Sequence, residues 1–305
     1  MDLSVVIVSY NTRRLLEECL ASIYARTREV AFQVIVVDNN SADGSAELVR
    51  AAFPQVRLIC NSENRGFAAA NNQGFRIAEG RYILMLNSDT LILEGALQKV
   101  VRYLDEQPKA AIAGCMLLNS DGSLQKSVRS FQTVWNLFCE ASFLYRIFPD
   151  TVAFGRFYMT YFKYDSDQEV DWVSGAFLMF RRSILDQLDG LDEQYFMYTE
   201  ETDFCYRAKQ SGFSCWFVPT AQIIHHRFGS STDEAKRIKQ VLSSKLFFIG
   251  KHFSGFQRLA MKSLVLLGIA IRIVAYTLSG LLLMNKISLR KSQDLRVAMR
   301  AVWGI

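Results

Sequence analysis

The 305-residue sequence lacks the motifs that mark several common classes of protein. No Gly-x-Gly-x-x-Gly follows the first apolar segment and no Gly-x-x-x-x-Gly-Lys-Ser occurs, which disfavours a dinucleotide-binding fold and a P-loop. Six cysteines occur without a Cys-x-x-Cys pair, so we expect reduced, buried thiols in a cytosolic protein rather than a metal or disulfide framework. Met1 and Asp2 lead directly into the apolar segment 3–8, so no signal peptide is expected.

Acidic residues are almost missing from the C-terminal part of the chain. From Lys236 onwards there are 13 Lys or Arg and one acid, Asp294, so this part carries +12, whereas residues 1–235 carry −7. A basic segment on an acidic body indicates a polyanionic partner, either an anionic membrane surface or nucleic acid. The segment 256–284 is rich in Leu and Ile, which speaks against a nucleic-acid arm, so no nucleic-acid partner is expected.

The apolar stretch between Lys262 and Lys286 is long enough to cross a bilayer, but Arg272 lies in its middle and would be costly in hydrocarbon. On a helical wheel the polar residues fall within roughly a third of the circumference; they are Arg258, Lys262, Arg272, Tyr276 and Ser279. This pattern favours a helix that lies in the membrane interface over one that spans it, with packing on a catalytic domain as the alternative. We therefore expect residues 236–305 to form a helical, membrane-associating region that follows a domain of residues 1–235.

Strand-like and helical patterns alternate through the first hundred residues. Strands are predicted at 3–8, 32–37, 56–60 and 82–86, and helices at 12–25, 44–53, 67–79 and 94–107. Such alternation predicts an α/β fold in which a parallel sheet carries helices on both faces. Further along, strands are predicted at 170–180, 215–218 and 222–224 and helices at 184–187 and 202–210, while residues 120–170 are expected to form an elaborated loop with some helix.

Two of these predicted strands end in a carboxylate. The apolar run 82–86 leads into Asn87, Ser88 and Asp89, and the run 34–37 leads into Asp38. Ligands of open α/β sheets bind beyond the carboxyl ends of the strands. Asp89 is therefore a candidate ligand for a divalent cation that also binds a diphosphate, since Mg²⁺ commonly uses one or two protein carboxylates. Asp38 suits the imide N–H of a pyrimidine base, although a polar turn or helix cap explains it equally well.

Three further groups of residues are candidates for chemistry. Arg65 could meet a phosphate, and Gly66 permits a tight turn beside it. Three acids stand within four residues at a predicted helix start, where like charges raise one another's pKa as a general base requires; they are Glu200, Glu201 and Asp203. Histidine is rare, with three in the chain, yet His225 and His226 end a short predicted strand, which makes a metal ligand more plausible.

The order and spacing of these pieces resemble glycosyltransferase family 2, in particular its rhamnosyltransferase-like branch. The resemblance covers about residues 3–231. The matching segments are Val-Ser-Tyr-Asn11, Val-Asp-Asn-Asn-Ser-Ala-Asp-Gly-Ser45, Asn64-Arg-Gly-Phe-Ala-Ala-Ala-Asn-Asn72, Leu-Asn-Ser-Asp89, Trp172-Val-Ser-Gly-Ala-Phe, Glu200-Glu-Thr-Asp-Phe-Cys-Tyr-Arg207 and His225-His-Arg-Phe-Gly-Ser-Ser231.

The resemblance implies a GT-A fold with a Rossmann-like, mostly parallel sheet, a nucleotide-sugar donor, a divalent cation (Mg²⁺ or Mn²⁺) and inversion at the anomeric carbon. By position, Glu201 is the base, with Glu200 or Asp203 as alternatives because the family has Asp at this place. The metal ligands implied are Asp89 and His225, with His226 less favoured. The donor-binding residues implied are Ser9, Tyr10, Asn11, Asp38, Asn40, Arg65, Gly66, Asn71, Asn87, Ser88 and Asp89. The sugar or acceptor pocket implied consists of Trp172, Ser174, Gly175 and Ala176.

The expected function is therefore transfer of rhamnose or another hexose from a dTDP- or UDP-sugar to a saccharide or lipid-linked acceptor in surface polysaccharide synthesis. The basic tail would then hold the enzyme, peripherally, at the cytoplasmic face of the membrane. Two alternatives are a catalytically degenerate GT-A scaffold of a polysaccharide assembly complex and a sugar nucleotidyltransferase. The second would normally need a Gly- and Arg-rich phosphate loop near the first strand, where Ser9-Tyr-Asn-Thr-Arg13 stands.

Overall fold

The computed structural model describes residues 1–227 and 234–302, so the predicted motif residues 228–231 lie outside the described residues. The chain divides into two compact units. Unit 1 comprises Met1–Arg129, Lys163–Phe196 and the described part of Glu200–Ser230. Unit 2 comprises Ser130–Phe162, Met197–Thr199 and the described part of Ser231–Ile305. The domain boundary at residue 235 stays a prediction, and the compact units group residues 130–162 with the C-terminal helices.

The helices and strands are numbered in chain order. The elements up to residue 129 are β1 (Leu3–Ser9), α1 (Arg13–Arg26), β2 (Phe32–Asp38), α2 (Ser45–Ala52), β3 (Arg57–Cys60), α3 (Phe67–Arg76), β4 (Tyr82–Asn87), β5 (Thr90–Ile92), α4 (Ala96–Glu106), β6 (Ala110–Leu118), β7 (Leu124–Gln125) and β8 (Val128–Arg129). The remaining elements are α5 (Val134–Ala141), α6 (Leu144–Ile147), α7 (Val152–Gly155), β9 (Gln168–Val170), β10 (Trp172–Val173), β11 (Phe177–Arg181), α8 (Leu185–Leu188), α9 (Glu200–Gln210), β12 (Ser214–His225), α10 (Glu234–His252), α11 (Gly255–Leu282) and α12 (Lys286–Val302).

A mixed sheet forms the centre of unit 1. Eight strands follow one another in the order β3-β2-β1-β4-β11-β6-β12-β5, and in addition β7 pairs with β6 and β9 with β12. Strands β1 to β4 are parallel, as is the pair β6 and β12, whereas β11 runs antiparallel between β4 and β6. The predicted parallel α/β core of the first hundred residues is confirmed, with small shifts at the element ends.

Helices cover both faces of this sheet because β1 and β4 are apolar on both sides. Alternate residues of β1 face opposite ways, so Val5 and Ile7 belong to the core cluster that includes α1 and α4. Val6 faces the other side, where a Cβ added at Gly74 of α3 would come within 2.3 Å of it. Gly74 thus lets α3 lie directly on the sheet.

Three predictions after residue 108 were wrong in detail, each for a physical reason. Strand β6 was missed because four of its first five residues are Ala or Gly, which give little strand signal. Val173 packs so closely on Gly114 that a Cβ there would lie 2.6 Å from it. The predicted strands 215–218 and 222–224 form the single strand β12, whose register shifts between Val218 and Gln222, where Pro219 cannot donate to a ladder. The predicted strand 170–180 is β9, β10 and β11, which pair with different partners.

Five of the six cysteines are buried, as expected for reduced thiols, but Cys60 is exposed. Cys60 ends β3 and is the register partner of Asp38 in β2. The expectation of buried thiols is therefore wrong for this residue, which lies at the same edge of the sheet as the strand-end carboxylates.

Unit 2 is helical and has a small core of its own. The buried cluster consists of Leu137, Leu242, Leu246, Ile249, Met261 and Val265 from α5, α10 and α11. Among the described residues, α11 is the one helix long and apolar enough to cross a membrane by length and composition alone. Helix α12 turns back along α11, since Thr277 Oγ1 lies 2.7 Å from Ser292 Oγ and Ser279 Oγ lies 3.4 Å from Ser288 Oγ.

The polar stripe predicted on α11 does not face water or headgroups as expected, because much of it contacts other helices of unit 2. The guanidinium of Arg272 donates to the carbonyl oxygens of Gly268 (2.9 Å) and Glu140 (3.2 Å), and it lies over the ring of Phe143. Lys245 also binds the Glu140 carboxylate, at 2.7 Å. The charge of Arg272 is therefore neutralised inside the unit, and it does not set which side of α11 meets a membrane.

Candidate active site

The carboxyl ends of β1, β2 and β4 meet at one edge of the sheet of unit 1. Ser9 is the register partner of Asp38, and β4 lies parallel to β1 on its other side. Hydroxyl groups connect these ends, since Ser9 Oγ lies 3.0 Å from Thr12 Oγ1, which donates to Ser88 Oγ at 3.0 Å. Two of the predicted donor-binding residues, Ser9 and Ser88, are thus linked through Thr12 at one edge of the sheet.

Asp38 is almost fully buried, with 3% of its surface exposed. Its Oδ2 accepts a hydrogen bond from the backbone N–H of Ser41 at 3.0 Å. Its Oδ1 is also buried and has no hydrogen-bond partner among the described residues. A buried polar atom without a partner is rare in native proteins and costly. The structure therefore provides one acceptor here that a ligand N–H would satisfy.

The loops that follow β1 and β2 bind each other through Asn11. The Asn11 Oδ1 accepts from the backbone N–H of Ala42 at 2.8 Å, and its backbone N–H donates to Ser41 Oγ at 3.0 Å. Asn11 and Asn40 have φ of 54° and 69°, in the left-handed region that asparagine tolerates. Asn11 is thus a brace between loops, while Tyr10 is half-buried and Asn40 exposed beside it.

The loop that carries Arg65 is organised by Asn39, a residue that the sequence did not single out. The Asn39 Oδ1 accepts from the backbone N–H of Arg65 and from Asn61 Nδ2, both at 3.0 Å. Its Nδ2 donates to Asn64 Oδ1 at 2.9 Å and to the Gly66 carbonyl at 3.1 Å. The Arg65 side chain is exposed, so it is accessible to an anionic ligand.

Gly66 is required by the backbone at this turn. It has φ of +83°, and a Cβ there would lie 2.5 Å from the carbonyl oxygen of Phe196. The same carbonyl accepts the backbone N–H of Phe67. Any larger residue would both strain the turn and push the loop away from Phe196.

The two asparagines of α3 have different surroundings. Asn72 donates to the Leu191 carbonyl (2.8 Å) and Glu193 (3.0 Å) and accepts from the Leu191 N–H (2.9 Å), so its side chain is occupied by the fold. Asn71 donates to the Phe67 carbonyl at 2.8 Å, but its Oδ1 is buried without a hydrogen-bond partner among the described residues. Of the two, Asn71 is the one that retains a free acceptor.

Asp89 and His225 face each other across β5 and β12. The His225 Nε2 lies 3.2 Å from Asp89 Oδ1 and 3.3 Å from Asn87 Nδ2. The other ring nitrogen, Nδ1, lies 2.7 Å from Gln125 Oε1. Gln125 Nε2 donates to the His225 carbonyl and to Asn119 Oδ1, so the amide oxygen faces the ring. Nδ1 therefore donates to Gln125, and Nε2 is the ring nitrogen that faces Asp89.

His226 has a different environment. Its Nδ1 lies 2.7 Å from Ser120 Oγ, and its backbone N–H donates to the Asp89 carbonyl oxygen. The ring is thus bonded to the loop around Ser120, whereas the ring of His225 faces the Asp89 carboxylate. His225 is thus the histidine that faces Asp89, and its preference over His226 as a metal ligand stays a prediction.

The three acids of α9 differ in burial. Asp203 is fully buried; Arg207 Nε donates to its Oδ2 at 2.6 Å, and the hydroxyl of Tyr195 lies 3.3 Å from its Oδ1. Glu200 is 4% exposed, and burial together with the neighbouring charge of Glu201 raises its pKa well above the usual range. Glu201 alone is partly exposed. The structure therefore gives Asp203 a buried ion pair and buries Glu200, and Glu201 is the one acid of the three with exposed surface, although its Oε2 is buried.

The predicted pocket segment connects this carboxylate to β4. The Ala176 carbonyl accepts the backbone N–H of Asn87 at 3.1 Å. A Cβ added at Gly175 would lie 3.6 Å from Glu201 Cβ, so this glycine opens space directly beside the acid. Ser174 holds the turn by donating its backbone N–H to the Ser127 carbonyl. Trp172 pairs with Arg129 in the small sheet of β8 and β10.

Gln125 and Asn39 are the residues of the site that the sequence did not indicate. Both act through side-chain amides on neighbouring groups. Asn39 directly follows β2, beside Asp38, whereas Gln125 lies in no pattern that the sequence made recognisable. Gln125 lies in the stretch 120–170, where the periodicity is weak. For Asn39 the acidic loop after β2, in which it stands, was a signal that could have pointed to the residue. No such signal existed for Gln125.

The fold and the site define a glycosyltransferase of the GT-A type. The family model for glycosyl transferase family 2 matches residues 4–189, and the chain belongs to that family. It is 27% identical over 274 residues to an N-acetylglucosaminyl-diphospho-decaprenol L-rhamnosyltransferase of Mycobacterium tuberculosis, covering 85% of this chain and 88% of the relative. It is 30% identical over 169 residues to the rhamnosyltransferase WbbL of Escherichia coli, covering 53% of this chain and 61% of the relative.

Solved structures support the fold. A mannosyltransferase from Pyrobaculum calidifontis, in complex with GDP-Man and Mn²⁺, superposes with a TM-score of 0.59 at 18% identity, covering 99% of this chain and 86% of that one. Staphylococcus aureus TarS residues 1–349 in complex with UDP superpose with a TM-score of 0.52 at 15% identity, covering 99% and 81%. The expected GT-A fold, with a mostly parallel sheet, helices on both sides and C-terminal helices, is confirmed.

Proposed function

We propose that this glycosyltransferase moves rhamnose from dTDP-rhamnose to a hydroxyl of a lipid-linked saccharide at the cytoplasmic face of the membrane, with inversion at the anomeric carbon. The observation that carries this proposal is the likeness, along most of both chains, to a rhamnosyltransferase named for N-acetylglucosaminyl-diphospho-decaprenol. Other hexoses on UDP or dTDP are the competing donors. The family match disfavours a sugar nucleotidyltransferase.

The donor base would bind at Asp38. Its buried Oδ1 lacks a hydrogen-bond partner among the described residues, and the imide N–H of thymine or uracil is a donor of the right kind. The exposed guanidinium of Arg65 would meet the diphosphate, because Asn39 fixes the backbone of its loop. The unpartnered Oδ1 of Asn71 supplies a further acceptor in the same part of the site.

The residues present fit a divalent cation that takes only two ligands from the protein. Among the described residues no group of three or more His, Cys, Asp or Glu side chains could hold a metal. Asp89 Oδ1 and His225 Nε2, 3.2 Å apart, would supply two ligands, as is usual for Mg²⁺ sites that rely on phosphate and water for the rest. When bound there, the cation would stabilise the negative charge that develops on the leaving diphosphate.

Glu201 would act as the general base. It takes the proton from the acceptor hydroxyl while that oxygen bonds to the anomeric carbon, and the bond from this carbon to the diphosphate oxygen breaks with its electron pair. Attack from the face opposite the leaving group inverts the centre without a covalent intermediate. Gly175 leaves room beside Glu201 for the acceptor. The raised pKa of Glu200, caused by burial and by the charge of Glu201, disfavours a second negative charge beside the base.

Donor binding by calorimetry, with and without Mg²⁺ or Mn²⁺, tests the proposal across dTDP- and UDP-sugars. We expect one dTDP-sugar to bind in a metal-dependent way and Asp89→Ala to lose that binding. Transfer is then followed with N-acetylglucosaminyl-diphospho-polyprenol as the acceptor. If only a UDP-sugar binds, the sugar that the enzyme transfers is the one on that donor and not rhamnose. Binding of no donor by the membrane-bound enzyme would favour a degenerate scaffold.

A further inference from the structure

Exposed apolar surface is concentrated in unit 2. Of the large apolar side chains that are exposed in the described chain, all but Met1, Leu124 and Phe196 belong to this unit. Six of them form a stripe along α11, which we call the outer stripe. Its members are Leu259, Leu267, Ile271, Val274, Leu278 and Leu281. From Leu267 onwards they follow one another at intervals of three or four residues. A soluble helix normally turns such a stripe inwards.

The opposite side of α11 is where its polar groups lie. Arg272 binds Glu140 of α5, and Thr277 and Ser279 contact serines of α12. Gly268 and Gly280 allow α5 and α12 to approach, since a Cβ at either position would meet Ala141 or Leu289. Helix α11 therefore turns both apolar residues, such as Met261 and Val265, and the polar group of Arg272 towards its neighbours, and it still leaves an apolar stripe exposed.

Helix α12 determines how such a helix can meet a bilayer. It follows the C-terminal half of α11 and carries the exposed bases Arg290, Lys291, Arg296 and Arg300. If α11 crossed the membrane, these charges would be carried into hydrocarbon, at a large cost. With α11 in the plane of the interface, the same bases remain near the headgroups, where each contributes about 1 kcal/mol on an anionic surface.

We propose that unit 2 inserts the outer stripe of α11 into the acyl boundary of an anionic lipid leaflet, with the helix axis parallel to the membrane. The inference rests on the proposed function, because it places the enzyme on the leaflet that holds a lipid-linked acceptor. The bases provide attraction to anionic lipid, while the stripe provides binding that salt does not screen.

Sedimentation with vesicles of phosphatidylcholine, with and without phosphatidylglycerol, tests the two contributions. We expect binding to anionic vesicles to persist in about 1 M salt, where the Debye length is roughly 3 Å. The double variant Leu267→Asn/Leu278→Asn should then lower the partition coefficient roughly tenfold or more. The control is Leu124→Asn, an exposed leucine of unit 1, which should bind as the wild type does. Complete release by salt would overturn insertion.

The depth of α11 residues in the bilayer distinguishes a helix that lies in the membrane plane from one that spans the membrane. Leu267→Trp and Leu278→Trp place a fluorophore at two points that are roughly 16 Å apart along the helix axis. Quenching by lipids brominated at different depths should place both at the same shallow level, and Leu124→Trp should not be quenched. Two levels that differ by the helical distance would overturn the in-plane arrangement. A stable dimer that ignores vesicles would assign the stripe to a second copy of the chain and also overturn the proposal.

A measurement of donor binding distinguishes failure of this proposal from failure of the proposed function. The asparagine double variant should bind the nucleotide sugar as the wild type does, because no residue of the outer stripe belongs to unit 1. Loss of vesicle binding with donor binding intact supports membrane insertion. A wild-type enzyme that binds donor but no vesicle would refute insertion alone, whereas one that binds vesicles but no donor would refute the transferase assignment alone.

Discussion

The Nε2 atom of His225 and the Oδ1 atom of Asp89 lie 3.2 Å apart, at the end of β12 and just beyond β4. Gln125 Oε1, 2.7 Å from Nδ1 on the other side of the ring, fixes the imidazole in this orientation. A metal-ligating histidine is usually oriented by such a partner on its second ring nitrogen.

Replacing Gln125 should therefore weaken metal binding. Gln125→Leu removes the acceptor that fixes the ring of His225, and we expect roughly a 10- to 100-fold loss of Mn²⁺ affinity in the presence of nucleoside diphosphate. Electron paramagnetic resonance of free Mn²⁺ measures this directly, without turnover. Ser120→Ala is the matched control, since it removes the equivalent bond of His226 and should leave the affinity unchanged.

Replacing Glu201 should abolish transfer without unfolding the protein. Glu201→Gln keeps the size of the side chain but cannot accept a proton, so we expect transfer to fall by several orders of magnitude. Donor affinity, measured by calorimetry, should stay within about threefold of the wild type. Near-normal turnover in this variant would mean that another residue is the base.

Glu200 should make stability depend on pH. Its folded pKa lies above the ordinary value of 4.5, so the folded state keeps a proton that the unfolded state releases. This contribution is fully present below pH 4.5 and is lost as pH rises through the folded pKa. Glu200→Gln removes this titrating group. The free energy of unfolding of the variant minus that of the wild type should therefore rise with pH, by up to about 1.4 kcal/mol per pH unit. Urea unfolding across neutral pH measures it, and a constant difference would contradict the assignment.

The pair of Asp203 and Arg207 should matter for stability. Asp203→Asn leaves the guanidinium without its buried carboxylate, which typically costs about 3 to 5 kcal/mol. The control is Asp171→Asn. It removes the partner of Lys209, which lies on the same helix as Arg207, and because this pair is more exposed the loss should be less than about 1 kcal/mol. Thermal unfolding of both variants gives the comparison. Equal losses would contradict a structural role for Asp203.

The sequence predicted the first hundred residues well because their signals are local. The runs that became β1, β2 and β4 are unbroken and apolar, and the acids that follow them are adjacent in sequence. The strand β6 escaped prediction because it is rich in small residues, one of which, Gly114, is needed for a contact with Val173 much later in the chain.

The same distinction applies to the site. Asp38, Asp89 and Glu201 follow strand ends or begin a helix, so their positions could be predicted. The roles of Gln125 and Asn39 depend on hydrogen bonds between distant segments, and no local pattern carries that information. The polar stripe of α11 was recognised, but its partner Glu140 is on α5, so the side it faces could not be read from α11 alone.

The exposure of Cys60 gives the protein a built-in attachment point for a reporter. The other five thiols are buried, and burial raises the pKa of Cys19 to about 12, which makes it a poor nucleophile. A maleimide dye should therefore label Cys60 alone, on the strand beside Asp38. Occupancy of the nucleotide subsite could then be followed optically in the wild-type protein, with no engineered cysteine.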